Sequence, residues 1–188
     1  MAAIEALSDV VTGARCWGIE LDPRYRVLAV TVEPDPLRAP GRAGEYQLLC
    51  FPVSVLLIAV TRPLIEGGTS RTALVTFDLE QLTAVSERFA GATIDEAPFG
   101  RLEPRPGTWG PRYSLEGRTS AADGTRRTLQ LDLATEDGSR LRLFARFDDV
   151  ELRDASRSRV LGTGKDGGAA MPDGVRTPVD GPQDPLLF

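Results

Sequence analysis

Three runs in the second half of the chain constrain the fold most. Tyr113 to Ser120, Arg127 to Ala134 and Ser139 to Phe147 alternate apolar and polar residues, and Asp123-Gly124 and Asp137-Gly138 separate them. Alternation with period two turns every second side chain to one face of a strand, and Asp-Gly tolerates the positive φ that tight hairpin turns need. The pattern predicts an antiparallel three-stranded meander. Leu129, Leu131 and Leu133 would share its inner face with Leu141, Leu143, Ala145 and Phe147. Its outer face would carry Gln130, Asp132, Arg140, Arg142, Phe144 and Arg146.

The first half has the same character. Arg15 to Leu21 and Tyr25 to Glu33 read as strands, with Leu28, Val30 and Val32 on one face. Prolines and glycines from Pro34 to Gly44 make a loop, after which Tyr46 to Phe51 and Val53 to Thr61 resume the β pattern. Pro52 between them cannot donate to a ladder, so a bulge or kink is expected there. Thr72 to Phe77 is a further strand. Asp78 is placed to cap a helix from Leu79 to about Ala90, with Leu79, Leu82, Val85, Ser86 and Phe89 at helical spacing and Gly91 as its stop. Residues 4 to 11 read as a short helix or fraying arm.

Arg26 to Val32 resembles Arg127 to Leu133, and each run is followed by a second strand, ending in Phe51 or Phe147. This weak internal repeat predicts two similar β-units flanking the helix. The expected fold is therefore mainly β with a minor α component: two antiparallel units forming a curved sheet or partly open barrel, with one packed helix at about 79–90. Residues 1–14 are expected as an N-terminal arm and 15–155 as a single β-rich domain. Residues 156–188 are expected as a disordered tail, since six Gly and four Pro fall within 161–188 and leave little apolar surface to offset ordering entropy.

Composition removes several chemistries. A chain of 188 residues with no histidine has no imidazole for a Ser-His-Asp or Cys-His nucleophile, or for His-ligated zinc or haem. Two cysteines, Cys16 and Cys50, cannot supply a four-thiolate site and are read as buried thiols, although a disulfide between them stays open. A net charge of -5 argues against nucleic acid, whose partners gather basic excess on one face. Lys165 is the only lysine, an imbalance towards arginine that fits a GC-rich bacterial coding bias. The N-terminus has no basic or apolar leader region, so the cytoplasm is the expected location. The longest apolar run, Leu48 to Val60, is too short for a membrane span, which needs about 20 residues.

No motif points to a metal, cofactor or catalytic centre. Gly162-Thr163-Gly164-Lys165-Asp166-Gly167 has dinucleotide-loop spacing, but Pro172 soon follows and leaves no helix to receive a phosphate, so the glycines read as linker. Asp148, Asp149, Glu151 and Asp154 lack calcium-loop spacing and read as edge charges paired with nearby arginines. Phe144 between Arg142 and Arg146 is a candidate protein-binding anchor, the alternative being that another part of the chain covers it. Trp17, Phe99 and Trp109 are candidate lining for a ligand at a barrel mouth, or core. The first expectation for function is a non-catalytic cytoplasmic binding protein with a protein partner. A β-barrel binding a small apolar ligand and a His-free carboxylate enzyme are the alternatives, and the barrel interior discriminates among the three.

Overall fold

The computed structural model describes residues 2–40, 44–66, 69–100, 103–104, 109, 112–115 and 127–163. Helix α1 (Ala2–Val11) leads into strands β1 (Arg15–Asp22), β2 (Val27–Glu33), β3 (Tyr46–Glu66) and β4 (Thr69–Val75). One turn of helix, α2 (Leu82–Ser86), lies between 3-10 turns at Leu79–Gln81 and Glu87–Phe89. Then come β5 (Ala92–Glu96), β6 (Phe99–Gly100), β7 (Arg112–Ser114), β8 (Arg127–Ala134), β9 (Arg140–Asp154) and β10 (Arg159–Gly162).

All pairings are antiparallel, and six strands form a ring in the order β1-β2-β3-β9-β8-β5. Two meanders build it, β1-β2-β3 and β5-β8-β9. Their last strands pair along most of their length, and their first strands touch at only Arg15↔Thr93 and Cys16↔Ala92. The runs that resemble each other in sequence, Arg26–Val32 and Arg127–Leu133, supply the central strand of each meander, β2 and β8. Closing the sheet on itself leaves few edges, which is how an antiparallel sheet avoids unpaired backbone.

The ring is partly open, and α2 fills the opening. Beyond Cys16 the second edge of β1 has no strand beside it among the described residues; there Ser86 Oγ accepts the Ile19 N–H at 3.2 Å and lies 3.1 Å from the Ile19 carbonyl. One buried hydroxyl thus stands in for a strand neighbour. Replacing Ser86 by alanine leaves a buried amide without a partner, so urea unfolding should show a loss of about 1–3 kcal/mol, with exposed Thr83→Ala near neutral.

Inward residues of every ring strand fill the interior. Leu28, Val30, Leu48, Leu56, Ile58, Ile94, Leu129, Leu131, Leu141, Leu143 and Phe147 are wholly buried in one cluster with Leu82 and Phe89 from the helical segment. This is the face that period two predicts. Both β3 and β9 change parity at one corner: Cys50 and Val53 both point inward, as do Phe147 and Val150, with the cis Phe51–Pro52 bond and Asp148 between them.

Several local features bear on the sequence expectations. Tyr113 and its neighbours form β7, which pairs with Val55–Leu57 of β3 and not with β8, because β5 and β6 occupy the edge of β8 away from β9. The Asp123-Gly124 turn lies outside the described residues. Of the short helix or fraying arm expected at residues 4 to 11, the structure has the helix, α1, and docks it: Leu7 and Val11 are wholly buried in the main core, and Ser8 and Thr12 bond the Ala97 backbone at 2.9 and 3.2 Å. Chain beyond residue 156 adds β10 along β9, where a Cβ on Gly162 would sit 2.8 Å from the Val150 carbonyl, so glycine permits the close approach. The rest of the expected tail, 164–188, is outside the described residues.

Candidate functional site

β3 is 21 residues long and outlasts its ring partner. Its last pair with β9 is Thr61↔Arg140, after which, among the described residues, it pairs with β4 alone as far as Glu66↔Thr69. The result is a two-stranded ribbon standing off the barrel. Val60 and Val75 pair on the inward side, so the alternation places Arg62, Leu64, Arg71 and Ala73 on that side of the ribbon. Thr61, Pro63, Thr72 and Leu74 take the other side, and Leu74 is 36% exposed.

Beneath the ribbon's inward side is a groove of about 470 Å³. Val60, Val75 and Phe89 give it apolar walls, and Pro63 borders it from the ribbon's other side, beside Gly138; Arg62 and Arg88 supply cations, and Glu136 and Asp137 of the β8–β9 turn supply acids. Asp137 is committed to its own turn. The Thr135 hydroxyl, then the Ser139 N–H at 2.9 Å and hydroxyl at 3.1 Å, bond its carboxylate and hold it below the usual aspartate range. Arg62, Arg71 and Arg88 form no ion pair with any described residue. Within the groove Arg62 and Arg88 share the space with Glu136 and Asp137, and Arg71 lies on the ribbon outside its lining.

A second cleft, about 330 Å³, crosses the outer face and is lined by Thr61, Thr72, Asp95, Glu96, Asp132, Arg140 and Arg142. Its acids and bases sit opposite one another on neighbouring strands, as in Asp132↔Arg142, and Asp132 accepts from the Gln130 amide at 3.1 Å. Such pairing is ordinary cross-strand stabilisation. The acidic group on β9 is similarly occupied. Glu151 binds Arg153 at 2.7 Å, Asp149 faces Arg127 at 3.5 Å, and Asp154 bonds Ser156 and Ser158 in the following turn. Asp148 is different: both its carboxylate oxygens are buried with no hydrogen-bond partner among the described residues. Among the described residues no group of three or more Cys, Asp and Glu is arranged to hold a metal ion.

The residues proposed as a protein-binding anchor are not an exposed aromatic among arginines. Phe144 is 1% exposed, between Leu57 and Gln130 on the adjoining strands, and both of these are buried as well. Arg142 carries the Trp109 ring over its guanidinium at 5.3 Å, and Arg146 is half-buried with its carbonyl accepting from Ser54. The cover of Phe144 is therefore within the chain, which removes the premise that it needs a partner. Trp17, Phe99 and Trp109 do not line a barrel mouth together. Trp17 is the extra residue of a bulge in β1, 40% exposed, with its Nε1 donating to Glu33 at 3.2 Å. Phe99 pairs with Leu129 in the sheet, and Trp109 stacks on Arg142.

Cys16 and Cys50 are both free and buried; burial pushes the Cys16 thiol up to about 11 and that of Cys50 higher still. Neither thiol is a nucleophile at neutral pH, since the thiolate is the reactive form. The groove residues Arg62, Arg88 and Glu136 come from separate segments, and only their meeting in space makes them a site. No family model, no curated protein and no solved structure matches this chain.

Proposed function

We propose that the chain is a non-catalytic binding module that engages a protein partner at its surface, and that it works in the cytoplasm. The filled interior carries this reading. Apolar side chains from all six ring strands occupy the space in which a ligand-binding barrel would hold its ligand, so recognition falls to the outside. A ribbon projecting beyond the barrel supplies such an outside surface. Two free thiols suit a reducing compartment.

The test is capture from lysate of the source cell on the immobilised full chain, followed by reconstitution of the purified pair. A single protein recovered near equimolar ratio, and rebinding when purified, is expected. Failure of every enriched protein to rebind would overturn the reading.

A further inference from the structure

We infer that the barrel is two copies of one unit, a helix and three strands, fused in a single chain and mated as the halves of a two-fold dimer, so that a unit of one chain can mate with a unit of a second copy of the chain. This goes beyond the binding-module reading and does not depend on it.

The units are α1-β1-β2-β3 and α2-β5-β8-β9. A shift of 78 positions lays the helix and first strand of one on those of the other: Ala6-Leu7-Ser8-Asp9 falls on Ala84-Val85-Ser86-Glu87, and Gly13-Ala14 on Gly91-Ala92. Both glycines follow their helical segments at positive φ, 82° and 80°, the conformation in which glycine commonly ends a helix. Val11 and Phe89, two residues ahead of them, both lie in the core. Further on, Arg26 to Val32 of β2 matches Arg127 to Leu133 of β8, with Val30 on Leu131.

The same shift relates their contacts, with partners exchanged. Ser8 Oγ lies 2.9 Å from the Ala97 carbonyl and Ser86 Oγ 3.1 Å from the Ile19 carbonyl, and Ile19 and Ala97 are themselves equivalent. The Gly13 amide donates to Ile94 at 2.9 Å, and the Gly91 amide donates to Cys16, the equivalent of Ile94, at 2.7 Å. Each helix therefore grips the first strand of the other unit or the residue that follows it. The strands obey the same rule. β1 pairs with β5 and β3 with β9, each antiparallel to its own equivalent, and the exchange carries the pair Arg15↔Thr93 onto itself. A two-fold contact is made in this way, one surface meeting its copy. Closing a six-stranded sheet requires the strand pairings alone. It does not require two crossed serine contacts at one spacing, so chance likeness between hairpins leaves them unexplained. The copies differ where strands are joined: residues 23–26 link β1 to β2, whereas β6 and β7 stand between β5 and β8. Connections are where chain is added with least disturbance to a sheet.

Two full-length variants test this. Val30→Asp and Leu131→Asp each bury a carboxylate in the core at equivalent places, in β2 of the first unit and β8 of the second. Each variant alone should lose its cooperative unfolding transition. Mixed in urea in equal amounts and refolded together, they should form a 1:1 dimer that regains the transition, because one chain supplies an intact first unit and the other an intact second. Ser8→Ala in the chain with the intact first unit should weaken that dimer about fivefold or more, and so should Ser86→Ala in the other chain. A second measurement needs no damaged chain. Wild-type protein carrying two different tags, refolded together from urea at high concentration, should yield a folded dimer holding both tags by exchange of units.

A variant mixture that stays unfolded, together with tagged wild-type chains that refold only as monomers, overturns the inference. So does a reconstituted dimer that neither serine substitution weakens, since the helices would then not grip across the units. If the two-tag dimer forms equally from folded chains mixed without urea, it is surface association, and the variant mixture alone decides. Capture of a partner protein by the full chain leaves this inference untouched, and failure of the two units to mate in trans leaves the module reading standing.

Discussion

Phe144→Ala will lower stability by about 3–5 kcal/mol, the usual cost of truncating a buried phenylalanine, and will leave partner recovery per folded molecule unchanged. The ring is 1% exposed even though it lies on the outward side of β9. It sits outside the main core, in a second apolar layer with Leu57 and Ala59 of β3 and the buried faces of Thr128 and Gln130 of β8. Removing it opens a cavity between side chains that the sheet holds in place, so collapse cannot fill it. Urea midpoints with unchanged slope, compared with Arg140→Ala at an exposed position of the same strand, check the result. A shift of less than about 0.5 kcal/mol, typical of surface changes, would show that the ring is uncovered in solution.

The same residue marks the limit of what period two conveys. Alternation identifies which residues of a strand lie together, and Leu129, Leu131, Leu141 and Leu143 are all found inside as expected. It does not say whether the other side meets water. Gln130 and Phe144 alternate outward correctly and are buried nonetheless, because a second layer covers part of the barrel's outer face. Trp17 failed for another reason: the bulge between Cys16 and Gly18 inserts one residue without changing the composition of the strand, and that residue points outward.

Pairing partners were legible only where a short turn joins the strands. β8 and β9 meet through Thr135–Ser139, and Gly138 takes the positive φ of 81° that the Asp-Gly signal implies. β7 is joined to its partner β3 by no turn; it pairs with residues more than 50 positions earlier, and nothing local in Arg112–Ser114 records that. The groove was illegible for the same reason, since Arg62, Arg88 and Glu136 come from three separated segments.

Leu7→Ala will cost about 2–5 kcal/mol, as large as a change in the barrel strands, although residues 1–14 read as an arm in the sequence. The reason the sequence misled is length. Ten residues are too few to make a stable isolated helix in water, so neither propensity nor capping signals the segment strongly, and its order comes from the surface that receives it. That surface is specific: Leu7 and Val11 are wholly buried in the barrel's core cluster, Ser8 and Thr12 bond the Ala97 backbone, and the Gly13 amide donates to Ile94 of β5 at 2.9 Å. Removing the Leu7 side chain therefore empties a site walled by the ring and held by backbone bonds on either side of it. Glu5→Ala, at an exposed position two residues earlier, should stay within about 0.5 kcal/mol. Equal small effects from both substitutions would mean that α1 detaches in solution and that the barrel is closed without it.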